Sequence, residues 1–452
     1  MKALFGTDGI RGEAGVFPLD RATAKQIGFS LAHHLKKSWG RNGVIVVGRD
    51  TRESGQWLEQ ALIAGASTAG AECHAAGVIT TPGVAFLTGA LKADAGVVIS
   101  ASHNPYHDNG IKIFSATGQK IDDSVERTIE ADIFAGSISN EPPTDETVNS
   151  SRDQAHELQS RYLDFLQNQI GRDLQLKSLS IVVDCANGAS HHLAPQLFER
   201  LGARVIAINA EPDGRNINLN SGSLHIEGLQ KKVIDEKADL GVAFDGDADR
   251  SLFVDHEGQF VDGDATLLVL AEHLQANGKL NHDTVVATVM SNIGLEVALR
   301  EKNIQLVRTD VGDKYVLEEL LRLGASLGGE QSGHVILPAL SLAGDGMITA
   351  LCLIRALNDS GKSLAEATKR FKRYPQTLVN VRVKQKPPFG DLASVTKATA
   401  EVERHLGNQG RLLLRYSGTE PLARVMIEGQ NQTEIEGYAQ QIAAAIQQEI
   451  GL

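Results

Sequence analysis

Short apolar runs alternate with longer amphipathic stretches over most of the chain. The apolar runs are rich in β-branched residues and predict strands at Val44–Val47, Val97–Ser100, Ile181–Asp184, Val205–Ile208, Leu240–Phe244, Thr284–Thr288 and Gln305–Val307. The amphipathic stretches predict helices at Arg21–Lys36, Gln56–Thr68, Leu193–Leu201, Gly228–Glu236 and Thr266–Gln275. This alternation indicates parallel sheets with helices on both faces, which bind ligands beyond the carboxyl ends of their strands.

Three apolar runs end in polar loops that carry reactive side chains. Val97–Ser100 leads to Ala101-Ser-His-Asn104, Leu240–Phe244 leads to Asp245-Gly-Asp-Ala-Asp249, and a run ending at Gly329 leads to Glu330-Gln-Ser-Gly-His334. The similarity lies in the pattern and not in residue identity. It predicts a threefold structural repeat in which each copy contributes one loop to a shared site.

Changes in composition mark boundaries between segments. Gly136–Asp153 is rich in Ser, Asn, Pro, Thr and acidic residues, which predicts a linker or a long surface excursion. A second boundary is predicted near Asp255–Asp262, where a glycine turn occurs. After Tyr374–Pro375 the predicted elements are a strand, a helix, two strands and a helix, at Leu378–Val383, Leu392–His405, Leu412–Tyr416, Ala423–Glu428 and Glu434–Glu449. They predict a small α+β domain.

Length, charge and cysteine content limit the class of protein. A chain of 452 residues predicts about three domains, and a net charge of −12 argues against nucleic acid or an anionic membrane as partner. No apolar run approaches the roughly 20 residues that span a bilayer. The three cysteines lie far apart and no secretory signal is evident, so we expect a cytoplasmic protein with reduced thiols. Arg49–Arg52 and Arg415 are candidates for local basic pockets that bind an anionic substrate.

Three aspartates alternate in the second polar loop. In an extended loop, alternate side chains point the same way, so Asp245, Asp247 and Asp249 would face one point. Two carboxylates about 4 Å apart repel by roughly 4 kcal/mol at an effective dielectric near 20, so a cation is expected between them. Oxygen ligands favour Mg²⁺ or Ca²⁺, and Arg250 and His256 stand where an EF-hand calcium loop needs glycine and glutamate. The loop therefore favours Mg²⁺, and a solvated acidic turn is the alternative.

Ser102 is the candidate nucleophile of the first polar loop. It lacks the Gly-x-Ser-x-Gly elbow of acyl-transfer hydrolases, so phosphoryl transfer through the serine oxygen fits better beside a magnesium site. Turn capping by Ser102 and Asn104 is the alternative. His103 is either a second hydrogen-bond donor or a surface residue. Lys112 alternates with an apolar pair in Ile111–Phe114 and is either a solvated lysine or a group of the reactive loop.

Two further loops are candidates for binding a substrate. The segment after the strand Leu412–Tyr416 combines an arginine, two hydroxyls and a glycine, as in anion-binding turns, and an ordinary capped turn is the alternative. Its phosphate-binding candidates are Arg415, Ser417, Gly418 and Thr419. In the third polar loop, Glu330 and Ser332 could bind vicinal sugar hydroxyls, and His334 could transfer a proton. The chain has no Walker A or dinucleotide-binding glycine motif after a predicted strand.

Five motifs in this order resemble the α-D-phosphohexomutase superfamily over essentially the whole chain. They are Gly6-Thr-Asp-Gly-Ile-Arg-Gly12, Ser100-Ala-Ser-His-Asn-Pro105, Asp245-Gly-Asp-Ala-Asp-Arg250, Gly329-Glu-Gln-Ser-Gly-His334 and Arg415-Tyr-Ser-Gly-Thr-Glu-Pro421. The resemblance implies an α/β fold with four domains around a central cleft. Three similar α/β domains with mixed or parallel sheets are expected at 1–152, 153–255 and 256–371, and they carry the serine, metal and sugar loops. A smaller α+β domain at 372–452 is expected as a phosphate-binding lid.

The resemblance also implies a set of roles. Ser102 would be an activating phosphoserine that donates and recovers a phosphoryl group, with one Mg²⁺ per chain. The implied metal ligands are Ser102, Asp245, Asp247 and Asp249. The implied catalytic residues are Arg11, Ser102, His103, Lys112, Arg250 and His334, with the acid–base role open between Lys112 and His334. The implied substrate-binding residues are Glu330, Ser332, Arg415, Ser417, Gly418 and Thr419.

Within the superfamily, three of the motifs are similar to those of bacterial enzymes that act on glucosamine phosphates. The implied reaction converts glucosamine 6-phosphate to glucosamine 1-phosphate through a sugar bisphosphate, for UDP-N-acetylglucosamine synthesis. Mutases of glucose or mannose phosphates are the close alternative, and a phosphatase or a non-catalytic sensor is more remote. The implied partners are small sugar phosphates, without nucleic acid or membrane, and a homodimer stays open.

Overall fold

The computed structural model describes residues 4–6, 8–136, 152–417 and 420–452 of the chain. It contains two compact units, one formed by Met1–Val289 with Val307–Thr368 and the other by Met290–Leu306 with Lys369–Leu452. Most of the linker predicted at Gly136–Asp153 lies outside the described residues. Among the residues described, every helix is too short or too polar to cross a bilayer.

The first sheet of the larger unit has six strands in the order β1-β2-β6-β5-β3-β4. Its strands are β1 Phe5–Gly6, β2 Gly9–Glu13, β3 Val44–Arg49, β4 Glu72–Val78, β5 Ala95–Ile99 and β6 Asp108–Ser115. The helices of this segment are α1 Arg21–Trp39, α2 Gly55–Thr68, α3 Thr81–Ala90 and α4 Asp123–Ala135. β3 pairs in parallel with β4 and β5, whereas β6 runs antiparallel to β5 and β2. β5 is buried along its whole length, which explains its continuous apolar sequence.

The second sheet has five strands in the order β11-β10-β9-β7-β8. Its strands are β7 Ser180–Asp184, β8 Arg204–Ile208, β9 Leu240–Phe244, β10 Ser251–Asp255 and β11 Phe260–Val261. The accompanying helices are α5 Arg152–Phe165, α6 Leu193–Arg200, α7 Glu227–Glu236 and α8 Gly263–Ala276. β7 is parallel to β8 and β9, and β10 turns back antiparallel to β9.

The third sheet has four strands in the order β13-β12-β14-β15. Its strands are β12 Thr284–Thr288, β13 Gln305–Thr309, β14 Leu327–Gly329 and β15 Val335–Ile336. The helices in this part of the chain are α9 Ile293–Arg300, which belongs to the smaller unit, and α10 Asp313–Leu323, α11 Gly346–Ser360 and α12 Leu364–Thr368. β12 is parallel to β14, and β15 is antiparallel to β14.

The three sheets share a hairpin that the sequence analysis did not predict. In each, a buried strand with a parallel neighbour turns back through an antiparallel strand, in the pairs β5–β6, β9–β10 and β14–β15. The three polar loops are the loops of these hairpins. The sheets are therefore mixed, because a short loop joins antiparallel strands and a parallel strand needs a longer crossover.

The smaller unit is an α+β structure, as the last predicted elements indicate. Its sheet has the order β16-β18-β17, with antiparallel strands β16 Gln376–Arg382, β17 Arg411–Tyr416 and β18 Leu422–Glu428. Helices α13 Ala393–Leu406 and α14 Gln432–Ile450 supply Val395, Val402, Ile442 and Ile446 to its buried core.

Candidate active site

Ser102 lies in the β5–β6 loop with a left-handed backbone, φ 50°, and is almost completely buried. Its backbone N–H donates to Ser100 Oγ at 2.9 Å, and Ser100 Oγ donates to Asp50 Oδ2 at 2.6 Å. Asn104 Nδ2 donates to Asp108 Oδ2 within the same loop. Ser100 and Asn104 therefore stabilise the turn, and the Ser102 hydroxyl is left for another partner.

Arg52 holds the β5–β6 loop, which carries Ser102, by donating hydrogen bonds to its backbone carbonyl groups. Its guanidinium is fully buried, forms an ion pair with Asp50 at 2.9 Å, and donates to the carbonyl oxygens of Ser102 and Asn104 at 3.0 and 2.8 Å. Asn218, from the segment of the second sheet, donates to the same two carbonyl oxygens. The expectation that the segment Arg49–Arg52 forms a basic pocket is wrong for Arg52, because its donors are used by the loop backbone.

The Ser102 hydroxyl points to the three aspartates of the β9–β10 loop. Ser102 Oγ donates to Asp245 Oδ2 at 2.5 Å, and one oxygen from each of Asp245, Asp247 and Asp249 lies within 4.8 Å of the others. The loop is not extended as expected, since Ala248 is left-handed with φ 57°. The carboxylates converge through a tight turn. A Cβ at Gly246 would lie 2.5 Å from the Ser102 carbonyl oxygen, so glycine lets the two loops approach.

The three carboxylates form a group that could hold a metal ion. All are buried, and Asp247 Oδ1 and Asp249 Oδ1 make no hydrogen bond among the described residues. Burial raises the pKa of Asp245 well above its usual value, and the neighbouring Asp249 and Asp247 carboxylates raise it further. Buried, unsatisfied carboxylate oxygens at this spacing match a hard divalent cation, and Mg²⁺ fits the donor set.

Lys112 is a buried residue of β6, on the side of the strand that the alternating pattern indicated. Its Nζ lies 2.8 Å from Asp247 Oδ2, 3.0 Å from Asp8 Oδ2 and 3.5 Å from Asp249 Oδ2. Burial works to lower the pKa of Lys112, yet the carboxylates of Asp247, Asp8 and Asp249 together hold that pKa well above its usual value. The side chain is therefore a charged ammonium, and the solvated alternative is wrong.

Two other candidates lie close to the serine. His103 Nδ1 is 3.3 Å from Ser102 Oγ, so His103 is part of the site and not a surface residue. Burial lowers the pKa of His103 to about 4, and the nearby Arg250 and Arg11 cations contribute, so the imidazole is neutral at pH 7. Arg11, on β2, forms an ion pair with Asp8.

The β14–β15 loop lies beside the aspartate loop. Arg250 and His334 form an isolated antiparallel bridge, and His334 is buried with Nδ1 making no hydrogen bond among the described residues. Glu330 Oε1 accepts from the Gly312 N–H at 3.2 Å, and Glu330 Oε2 accepts from Ser332 Oγ at 3.4 Å. A Cβ at Gly344 would lie 2.3 Å from His334 Nε2, so a glycine there is required by the position of the imidazole.

A cavity of about 800 Å³ opens beside these loops in the larger unit. Its polar lining includes Asp8, Lys112, Lys120, Asp249, Asp313 and His334. Lys120 Nζ joins two of these carboxylates, at 3.0 Å from Asp8 Oδ1 and 2.8 Å from Asp313 Oδ1. A cavity of this size holds a small organic ligand.

The predicted phosphate loop belongs to the smaller unit. Arg415 is an exposed residue of β17, and Ser417 is buried with its Oγ accepting from the Glu420 N–H at 3.3 Å. Lys386 Nζ donates to the Ser417 carbonyl oxygen at 2.5 Å. Gly418 and Thr419 lie outside the described residues.

Several residues of the site were missed by reasoning from the sequence, namely Asp8, Arg52 in its actual role, Lys120, Asn218 and Asp313. Two of them carried a usable signal. Asp8 belongs to the first family motif, and Asp313 follows the end of β13, as the other reactive residues follow their strands. Lys120 and Asn218 have no local signature, because their partners lie far away in the sequence.

Models of the phosphoglucomutase/phosphomannomutase family match the chain in four segments. The alpha/beta/alpha domains I, II and III match residues 2–139, 160–258 and 262–374, and the C-terminal domain matches residues 378–445. The phosphoglucosamine mutase of Solibacter usitatus (strain Ellin6076) is 50% identical over 454 residues, covering 100% of this chain and 99% of that protein. The phosphoglucosamine mutase of Syntrophotalea carbinolica is 47% identical over 452 residues, covering 100% and 98%. The chain belongs to the phosphoglucosamine mutase family.

Membership of the phosphoglucosamine mutase family makes the protein an isomerase of the α-D-phosphohexomutase superfamily. Solved structures share its fold. A phosphoglucomutase/phosphomannomutase family protein from Burkholderia thailandensis matches with a TM-score of 0.79 at 23% identity, over 100% of this chain and 99% of that one. The N-acetylphosphoglucosamine mutase of Aspergillus fumigatus, solved with GlcNAc-6P and magnesium, matches with a TM-score of 0.61 at 18% identity, over 98% and 95%.

Proposed function

We propose that the protein interconverts glucosamine 6-phosphate and glucosamine 1-phosphate, with Ser102 carrying the transferred phosphoryl group. The observation that carries the proposal is the 2.5 Å contact between Ser102 Oγ and Asp245 Oδ2, inside a cluster of three aspartates and Lys112. A hydroxyl buried against carboxylates, without a turn to cap, is suited to bear a phosphate once a cation offsets the negative charge.

The metal ligands of the proposal are Asp245, Asp247 and Asp249, together with the phosphorylated Ser102. Bound there, one Mg²⁺ per chain supplies positive charge that offsets the transferring phosphoryl oxygens. The solved relative from Aspergillus fumigatus contains magnesium, which supports this choice. Arg11, Arg250 and the Lys112 ammonium add fixed positive charge around the serine loop, and His103 donates or accepts a hydrogen bond beside it.

The proposed chemistry is a two-step relay. In the first step, phospho-Ser102 transfers its phosphoryl group to the free hydroxyl of a sugar phosphate, which forms a sugar bisphosphate. The bisphosphate then reverses its orientation in the site and returns its other phosphoryl group to Ser102. The carboxylates around Lys112 keep the lysine protonated, which favours the unbonded His334 Nδ1 as the proton acceptor. Glu330 and Ser332 bind sugar hydroxyls, and Arg415, Ser417, Gly418 and Thr419 hold the phosphate that does not react.

The domain division of the proposal is 1–152, 153–255, 256–371 and 372–452, with the last segment as the lid. A lid suits the chemistry, because water reaching the phosphoserine would hydrolyse it and discharge the enzyme. We further propose a cytoplasmic enzyme that feeds UDP-N-acetylglucosamine synthesis. Its substrates are small sugar phosphates.

A mass-balance assay tests the proposal. Protein phosphorylated on Ser102 is incubated with Mg²⁺ and glucosamine 6-phosphate, and phosphorus NMR follows each species. We expect glucosamine 1-phosphate to accumulate without inorganic phosphate. Release of stoichiometric inorganic phosphate would identify a phosphatase, and no turnover of any sugar phosphate would favour the sensor. The same assay with glucose and mannose 6-phosphates separates the proposal from the other mutases.

A further inference from the structure

Asp313 is a carboxylate of the cavity wall with one oxygen available to a ligand. It is the first residue of α10, and its Oδ1 accepts from Lys120 Nζ at 2.8 Å. Its Oδ2 lies 4.0 Å from His334 Nε2, beyond hydrogen-bonding distance, and makes no hydrogen bond among the residues that the structure describes. Asp313 therefore presents an acceptor oxygen beside the imidazole that we assign to proton transfer.

The neighbouring carboxylates of Asp8 and Glu330 already have a protein donor at each oxygen, whereas Asp313 Oδ2 has none among the described residues. Asp8 accepts from Lys112 and Arg11 at Oδ2 and contacts Lys120 at Oδ1. Glu330 accepts from the Gly312 N–H at one oxygen and from Ser332 Oγ at the other. Asp249 belongs to the aspartate cluster. Of the carboxylates around the reaction centre, Asp313 is the one best placed to accept from a sugar substituent.

We propose that Asp313 binds the C2 ammonium of glucosamine phosphates and thereby sets the preference for amino sugars over neutral sugars. This inference rests on the proposed function. A charged amine adds the attraction of opposite charges to its hydrogen bond with a carboxylate, whereas the neutral hydroxyl of glucose offers the same carboxylate a hydrogen bond alone. Lys120 holds the Asp313 carboxylate in place, and its ammonium helps to keep that carboxylate ionised. Asp313 acts here as a specificity residue.

Substitution of Asp313 by asparagine tests the assignment. Asp313→Asn keeps the size of the side chain and removes its charge. We expect kcat/KM for glucosamine 6-phosphate to fall by about tenfold to a hundredfold, as for the loss of a charge-assisted hydrogen bond. For glucose 6-phosphate we expect a change of less than about threefold. The measured quantity is the ratio of the two kcat/KM values, because a purely structural role would lower both alike.

Three further variants test whether the charge of Asp313 sets the ratio of the two kcat/KM values. Asp164 is an exposed carboxylate outside the cavity lining and pairs with Arg200 at 3.1 Å, so Asp164→Asn should leave the ratio and the activity unchanged. Lys120→Met removes the cation that holds and helps to ionise the Asp313 carboxylate, so it should also lower the ratio, by less than Asp313→Asn does. Glu330→Gln should slow both sugars and keep the ratio, because the two sugars share the hydroxyls that Glu330 meets. A ratio kept in Asp313→Asn, or lost in Glu330→Gln, would overturn the proposal.

The wild-type protein provides a test that does not depend on folding of the variant. Above the pKa of its own amine, glucosamine 6-phosphate loses its charge, so the ratio should fall toward that of the neutral sugar as the pH rises. Lys120, His334 and Asp8 are the charged or titratable groups that face Asp313, so the same pH series is run on Asp313→Asn, whose ratio should not vary with pH. A ratio independent of pH would contradict the inference. If the wild type does not convert glucosamine 6-phosphate at all, it is instead the proposed function that fails.

Discussion

Lys112 Nζ lies 2.8 Å from Asp247 Oδ2, in a buried ion pair between the first and second sheets of the larger unit. The pair joins β6 to the aspartate loop, and the Thr81 hydroxyl completes it by donating to the same Asp247 oxygen at 2.6 Å. Asp8 and Asp249 lie near the same ammonium. Lys112 therefore offsets three carboxylates at once and connects β6 to the loop of the three aspartates.

Replacement of Lys112 should therefore lower stability as well as activity. Lys112→Gln leaves buried carboxylates without their cation, and breaking a buried pair in this way costs about 3–5 kcal/mol. We expect a loss of that order in urea unfolding without added metal, and partial recovery with Mg²⁺. Lys37→Gln, on the exposed face of α1, is the matched control and should change neither quantity. An unchanged free energy of unfolding for Lys112→Gln would contradict the charge balance described here.

Replacement of Ser102 tests the covalent step. Ser102→Ala should no longer carry a phosphate, which intact-mass spectrometry detects directly, and turnover should fall at least about a thousandfold. Because Ser102 Oγ bonds to the side chains of Asp245 and His103 and to no backbone atom among the described residues, the loop should keep its conformation. Ser38→Ala, on the surface of α1, serves as the control. Normal turnover by Ser102→Ala would contradict the proposed phosphoryl relay through Ser102.

The metal site is best tested at Asp245. Asp245→Asn removes one ligand charge but keeps the Lys112 ion pairs, which involve the other two aspartates. In the wild type, Mg²⁺ should raise the Tm, since a ligand that binds only the folded state stabilises it. In Asp245→Asn the rise should be much smaller, whereas the exposed Asp164→Asn should behave as wild type. A marked preference for Zn²⁺ over Mg²⁺ would count against the oxygen-ligand assignment.

The phosphate loop should act on all substrates alike. Arg415→Ala removes an arginine that the proposal places on the non-reacting phosphate, so kcat/KM should fall by about tenfold to a hundredfold. The loss should be the same for glucosamine, glucose and mannose phosphates, because this contact does not involve the ring. Arg404→Ala, an exposed arginine of α13, should have no effect. A loss of kcat/KM that differs among the three sugars would show that Arg415 contacts the sugar ring.

The buried carboxyl group of Asp345 should make the free energy of unfolding depend on pH. It caps α11 through the Met347 and Ile348 N–H groups and accepts from Tyr162 Oη at 2.6 Å. Burial raises the pKa of Asp345 to about 6, above its usual value of 3.8. The folded state then holds a proton that the unfolded state releases, so this contribution to stability is full below about pH 4 and is lost as the pH rises through about 6.

The Asp345→Asn variant isolates that contribution, because asparagine can still cap the helix but does not titrate. Between pH 4 and pH 6, the free energy of unfolding of the wild type should fall by roughly 2–3 kcal/mol relative to the variant. Urea unfolding at a series of pH values measures the difference. Parallel curves for the two proteins would show that Asp345 has the same pKa in both states.

Much of the fold follows from local patterns in the sequence. The strands Leu240–Phe244 and Thr284–Thr288 coincide with the predicted apolar runs, and the three polar loops follow predicted strands. The mixed character of the sheets was only partly foreseen, since β10 and β15 are short returning strands whose direction depends on the length of the loop before them.

The partners of the site residues were decided by the tertiary structure alone. The sequence identified Ser102, Lys112 and the three aspartates by residue type, but Lys112 and Asp247 are 135 positions apart. Lys120 and Asp313 are 193 positions apart, and nothing near either residue indicates the other. Periodicity and turn chemistry are set within a few residues, so a single sequence contains them. An ion pair forms wherever packing brings two charges together and removes water, so only the folded chain determines which carboxylates hold Lys112 and which oxygen of Asp313 remains available.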